Sequence, residues 1–181
     1  MNKPENTAIP RKTGSKPLKD AIKRRWVRAG DRILDFACGR GADIAWLKSE
    51  GYDVAGFDPH EPFGWSSAPT GHFDIVNVIY LVNVLDDAQA RRVALERAWA
   101  YVRPGGWMMV VARTDREINA QAAAKGWPSW RDGYWSNRTR GMFQRGHSVD
   151  DLRALVGPLS PAKIDASRVS AYSAIRAQKP Q

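Results

Sequence analysis

The chain has 181 residues, one cysteine, three histidines and a formal net charge of +9. That length suits one domain with a real core rather than two, and no apolar run is long enough to span a bilayer. The lone thiol of Cys38 supplies neither an internal disulfide nor a zinc cluster, the histidines lack metal-ligand spacing, and no signal-peptide pattern opens the chain.

A cytoplasmic protein with no membrane contact is therefore expected. Its positive excess gathers at Arg11, Lys12, Lys16, Lys19, Lys23, Arg24, Arg25 and Arg28, and again at Arg131, Arg138, Arg140 and Arg145. Such clusters favour polyanions, because lysine and arginine release the counterions of phosphates.

In chain order, residues 1–15 lack apolar periodicity and read as a flexible basic arm. Residues 16–181 read as one domain. Ser15 and Pro17 mark a helix entry, with Lys19 to Val27 a short basic helix. Arg32 to Phe36 is a buried strand, Cys38 to Gly41 a tight loop, and Ala42 to Lys48 a helix ended by Gly51. Asp53 to Phe57 and Phe73 to Leu81 are the next strands. The second carries a near-continuous apolar run, as in a parallel sheet covered on both faces.

Asp86 and Asp87 cap a helix reaching about Val102, with Leu95, Ala98, Trp99 and Val102 on one face. Arg103 to Gly106 is expected as a turn, Trp107 to Ala112 as the fourth strand, and Arg116 to Ala124 as a helix. Gly126 to Gly146 reads as a loop. Ser148 caps a helix from Val149 to about Leu155, and strands follow near Lys163 to Ile164 and Val169 to Ile175. Strand and helix in alternation predict an α/β sheet, mostly parallel, with right-handed crossovers. Ligands of such sheets bind at the carboxyl ends of the strands, near the switch point. Asp35, Asp58, Asn77 or Tyr80, and Arg113 lie at or just beyond those ends.

The loop after the first strand fails the dinucleotide fingerprint, since Ile44 stands where the third glycine belongs. Its charge is informative. Asp35 ends the strand and Asp43 opens the helix, which disfavours a pyrophosphate and favours a cationic ligand. Asp58 follows the second strand at the spacing of an acid that accepts ribose hydroxyls.

The segments "ILDFACGRGAD", "VAGFDP", "FDIVNVIYLVNVL" and "YVRPGGWMMVVAR" together resemble the class I S-adenosylmethionine-dependent methyltransferases. The resemblance implies a Rossmann-like sheet, trimmed after the second strand, and S-adenosylmethionine as cofactor. Candidate cofactor contacts are Asp35, Ala37, Cys38, Gly39, Gly41, Asp43, Asp58, Pro59 and Asn77. Ala37 replaces the first glycine of the loop, which fits a negative φ there. The segment from His60 to Thr70 replaces the trimmed elements, with Phe63 or Trp65 stacking on the base of the cofactor.

A closer resemblance runs through "KTGSKPLKDAI", "LDFACGRGADIAWLKSEGYDVAGFDP", "VNVIYLVNVLDDAQARRVALERAWAYV" and "RTRGMFQRGHSVDDLRAL". These segments are similar to the methyltransferases associated with DNA phosphorothioation, which implies a nucleic-acid context.

The fourth-motif strand carries no Pro-Pro pair, against ordinary exocyclic base methylation. Cys38 sits in the cofactor loop, against cytosine C5 chemistry. Tyr80 and Asn83 are the candidate catalytic residues. Aromatic side chains interleave with arginines from Gly126 to His147, as in surfaces that stack bases and hold phosphates. Candidate substrate contacts are Lys16, Trp135, Arg138, Arg140, Phe143 and Gln144. His147 reads as a surface histidine near a helix start. The leading expectation is a methyltransferase acting on nucleic acid or a nucleotide-like acceptor. The alternatives are a small-molecule methyltransferase, with the aromatic segment as a lid, and a non-catalytic cofactor-binding partner protein.

Overall fold

The structure, a computed structural model, describes residues 1–167 and 169–181. Its elements are α1 (Lys16–Lys23), β1 (Arg32–Phe36), α2 (Ala42–Ser49), β2 (Asp53–Phe57), β3 (Phe73–Ile79), α3 (Ala88–Ala100) and β4 (Val102–Ala112). There follow α4 (Asp115–Lys125), β5 (Ser129–Trp130), β6 (Gly133–Asn137), β7 (Met142–Gln144), α5 (Val149–Val156), β8 (Lys163–Ala166) and β9 (Ser173–Gln178).

One six-stranded sheet runs in the order β2-β1-β3-β4-β9-β8. The first four strands are parallel, β9 runs antiparallel to β4, and β8 runs antiparallel to β9. Side-chain alternation divides the core. Leu34, Phe36, Val76, Val78, Met108 and Val110 face one cluster with Leu95 of α3 and Leu152 of α5. Ile33, Ile75, Met109 and Val111 face the other, with Leu18 and Ala21 of α1 and Ile44 and Leu47 of α2. Each such side chain, fully buried, contributes about 1.5–3 kcal/mol. Apolar cover on both faces is what holds parallel strands in register. The chain leaves β1 toward β2 on one side and β3 toward β4 on the other, which puts the switch point between β1 and β3.

Local chemistry sets the helix starts. The Asp87 carboxylate accepts the amides of Gln89 and Ala90 at the start of α3. Ser148 and Asp151 form a reciprocal capping box at α5. Between β2 and β3 stands only a 3-10 turn, Glu61–Phe63, so the region is trimmed as expected.

Several stretches differ from expectation, among them Val102, which opens β4 rather than closing α3. The expected turn from Arg103 to Gly106 is the irregular start of the long strand β4, with a register shift opposite β3. The final strand begins at Ser173. The supposed loop from Gly126 to Gly146 folds into a three-stranded antiparallel sheet, β5-β6-β7. Within it the rings of Trp135 and Phe143 meet edge-on at 5.9 Å, and Trp130 lies 6.0 Å from Trp135. Asp132, at its first turn, pairs with the buried Arg91 of α3 and with Arg145.

The first fifteen residues, expected as a flexible arm, are laid along the body. They include a 3-10 turn, Pro4–Thr7. The Lys3 amide donates to the Gly141 carbonyl at 2.8 Å, and Asn2 Nδ2 donates to the Val84 carbonyl at 2.8 Å.

Candidate functional site

The loop leaving β1 alternates its backbone. Ala37, Gly39 and Gly41 have φ of +58°, +55° and +74°. The negative angle expected for Ala37 is not found. Its methyl group therefore crowds the backbone, at a cost of about 1–2 kcal/mol. The turn closes through the Gly41 amide on the Cys38 carbonyl at 3.1 Å, and through the Cys38 amide on the Phe57 carbonyl of β2 at 3.1 Å. Cys38 is held as a thiol, because burial and the charges of Asp35 and Asp58 push its ionisation well above the usual range.

Asp58 fixes this loop to the end of β2. Its Oδ2 accepts the Gly39 amide at 2.8 Å and its Oδ1 accepts the His60 amide at 3.0 Å. A carboxylate has about four lone-pair sites, so both oxygens can still accept the hydroxyls of a ribose. Pro59 follows, exposed. Trp65, expected with Phe63 as one of two alternatives for stacking on the base, is half-buried. The indole lies on the glycine loop, where a Cβ at Gly41 would come within 2.6 Å of Trp65 Cζ2. Phe63 presents its ring to Arg40, 5.3 Å away, and meets His60 edge-on.

Asp35 and Asn77 are register neighbours on β1 and β3. Asp35 is 3% exposed, and burial together with the charge of Asp43 raises its ionisation well above the ordinary carboxylate range. Asn77 is fully buried, and neither Nδ2 nor Oδ1 has a hydrogen-bond partner. Unsatisfied buried amides are costly and rare. Their presence beside Asp35 fits a polar ligand.

Asp43 behaves otherwise than expected. It was read as an acid free for a cationic ligand, yet both oxygens are engaged by the N-terminal segment. Oδ1 accepts the Ser15 amide at 2.6 Å and Oδ2 lies 3.1 Å from Arg11 Nη2. Residue 14 must be glycine for this approach, since its backbone rests on Trp46 and a Cβ would fall 2.2 Å from Trp46 Cε3.

Tyr80 follows β3 with φ of +61°. A bulky residue in this region is strained, by about 1–3 kcal/mol, and such strain clusters at functional sites. Its amide is tied to the Val111 carbonyl at 2.8 Å. Burial, then Glu117, raise the ionisation of its half-buried hydroxyl, while Arg11 and Arg113 lower it, so it stays neutral at physiological pH. Asn83 is buried. Its Nδ2 donates to Gln144 Oε1 at 3.3 Å, and its Oδ1 has no partner.

The remaining candidates divide. Trp135 and Phe143 are buried in the small sheet, and Gln144 beside Asn83. The two rings are committed to their own sheet and offer no free face to a base. Lys16 is turned along its own helix to Asp20, at 2.8 Å. Arg138 and Arg140 are exposed near the tip of the β6–β7 hairpin, and among the described residues neither forms an ion pair. His147, read as a surface residue, is fully buried. Its ring lies 3.3 Å from the Val82 carbonyl, and its pKa is pushed down to about 4 by burial and by Arg145 and Arg91. It clasps the small sheet to the end of β3 and is neutral at pH 7. The pairing of Arg11 and Ser15 with Asp43, across roughly thirty residues, lies beyond any local spacing rule. The only local signal was Gly14-Ser15 ahead of the basic helix.

Known proteins with this architecture include the PH0226 protein from Pyrococcus horikoshii OT3, at TM-score 0.69 and 16% identity, with 100% of each chain covered. A SAM-dependent methyltransferase from Methanosarcina mazei aligns at TM-score 0.65 and 14% identity, over 93% of this chain and 99% of its own. An O-methyltransferase family protein from Burkholderia thailandensis aligns at TM-score 0.64 and 16% identity, over 92% of this chain and only 56% of its own. No curated protein matches the chain in sequence. Residues 11–156 match the profile described as methyltransferase domain, which spans the glycine loop, Asp58, Tyr80 and the small sheet; the chain belongs to the methyltransferase domain family.

Proposed function

We propose that the chain transfers a methyl group from S-adenosylmethionine to a small acceptor at the carboxyl ends of β1, β3 and β4. The observation that carries the cofactor assignment is the joint placement of Asp35, the left-handed loop and Asp58 on adjacent strand ends, beside an unpartnered Asn77. When bound, S-adenosylmethionine supplies a methyl group on a sulfonium, a good leaving group. Asp58 accepts ribose hydroxyls, the backbone from Ala37 to Gly39 cradles the nucleoside, and ionised Asp35 offsets positive charge. Half-buried Tyr80 orients the acceptor, and Asn83, buried against Gln144, supports the chain beside it. Alignment of acceptor and methyl supplies much of the rate, so an obvious general base is dispensable.

The small-acceptor reading is favoured by the burial of Trp135 and Phe143, which leaves a flipped base without its stacking platform. The second reading, a nucleic-acid acceptor, draws on exposed Arg138 and Arg140, the +9 charge and the similarity to phosphorothioation-associated methyltransferases. Salt separates them. Methyl transfer to a small acceptor varies little with potassium chloride. A nucleic-acid substrate gives a steep fall of log affinity with log salt, flattened by replacing Arg138 and Arg140 with alanine.

A further inference from the structure

We infer that Arg11 is the cation that receives the carboxylate at the amino-acid end of S-adenosylmethionine, with Asp43 and Ser15 holding it in place; this rests on the cofactor reading above. The amino-acid end of that molecule carries an ammonium and a carboxylate together. Asp35 and Asp58 suit the ammonium and the sulfonium, but together with Asp43 they repel the carboxylate. A compensating cation suits that end, and the other basic side chains around the loop are engaged: Arg40 is turned to the Ala8 carbonyl and the Phe63 ring. Lys16 pairs with Asp20 at 2.8 Å, Arg113 pairs with Glu117 at 2.6 Å, and Lys19 reaches Thr13.

Arg11 stands apart from these. One Nη lies 3.1 Å from Asp43 Oδ2, and among the described residues it forms no other ion pair. A guanidinium has five N–H donors, so most are free for a second, bidentate partner. The ion pair with Asp43, in the first turn of α2, places the guanidinium beside the glycine loop. A second donor stands close by. Ser15 Oγ is buried without a partner, in the residue whose amide is bonded to Asp43.

The path of the segment agrees. Ala8 lies over the glycine loop, 3.5 Å from where a Cβ of Gly39 would stand, and its carbonyl is 3.5 Å from Arg40 Nε. Asp43 is thus a positioning residue. It presents the guanidinium rather than touching the cofactor.

Calorimetric titration of the full chain and of Arg11→Met, with S-adenosylmethionine and with its decarboxylated analogue, tests the assignment. The expected result is a loss of about tenfold or more in affinity for S-adenosylmethionine, with affinity for the decarboxylated analogue unchanged or raised. Arg11→Lys keeps the charge and recovers part of the loss. Equal losses for both ligands would overturn the assignment, as would unchanged affinity for S-adenosylmethionine. Tighter binding of S-adenosylmethionine by Arg11→Met would overturn it too, and would make Arg11 a plug in place of the cofactor's own cation. If the parent binds neither ligand, the cofactor reading itself fails, and this inference with it.

Discussion

Asp58→Asn changes the site by one atom and separates its two tasks. The carboxylate of Asp58 is 7% exposed and accepts two amides, Gly39 at 2.8 Å and His60 at 3.0 Å. An amide has one oxygen, so one of these N–H groups must face an NH2 donor and lose its partner. A hydrogen bond to a charged group is worth about 1.5–3 kcal/mol. Removing the charge also relieves repulsion on Asp35, but Asp58 ranks behind burial, Asp43 and Arg11 among the influences there, so the lost bond dominates. The variant is expected to unfold about 2 kcal/mol more easily in urea, read as a lower midpoint with an unchanged slope. Affinity for S-adenosylmethionine, which loses a ribose acceptor as well, should fall about 10- to 100-fold by calorimetry. Parent-like stability together with parent-like affinity would refute the role given to Asp58. Reduced stability with full affinity would leave it a loop tie and nothing more.

Ala37→Gly should relieve the left-handed strain of about 1–2 kcal/mol, less the ~0.5–1 kcal/mol that glycine adds to the entropy of the unfolded chain. A higher urea midpoint is expected, and a lower one would contradict the backbone angle. The raised ionisation of Asp35 sets a pH dependence. The carboxyl is protonated and neutral below its folded pKa, so affinity for the cationic cofactor should climb as pH rises through that value and then level off. In the apo protein the same shift stabilises at acid pH and is lost as Asp35 ionises. Asp35→Asn should therefore raise the neutral-pH urea midpoint while weakening the cofactor, and a lowered midpoint would count against the buried charge. Phe143→Ala empties a fully buried position and should cost about 3–5 kcal/mol. A near-neutral effect would mean that the ring is free for a substrate after all.

The parts legible in the sequence were those written in neighbouring residues. The apolar strands β1 to β4, the glycine loop, Asp35 and Asp58 follow from period, turn chemistry and spacing. The small sheet did not announce itself, because its strands run from Ser129–Trp130, Gly133–Asn137 and Met142–Gln144, too short for a period to emerge. Its aromatic and arginine content suggested a surface, whereas Trp135 and Phe143 pack on each other and Arg145 pairs with Asp132. The positive φ at Ala37 has no local signal; the turn around it is held by the ties of Cys38 to Phe57 and of Gly41 to Cys38. Asp43 offered two readings, and the partner that decides between them, Arg11, is distant in sequence and lies in a segment without periodicity. Nothing local signals the burial of His147, whose contacts include the distant Val82 and Arg113 carbonyls.

The most direct test of the account is calorimetric titration of the parent chain with S-adenosylmethionine, with Asp58→Asn alongside. Saturable binding at one site per chain, weakened in the variant, is the predicted result. A parent that takes up no S-adenosylmethionine would contradict the assignment of the strand ends as a cofactor site.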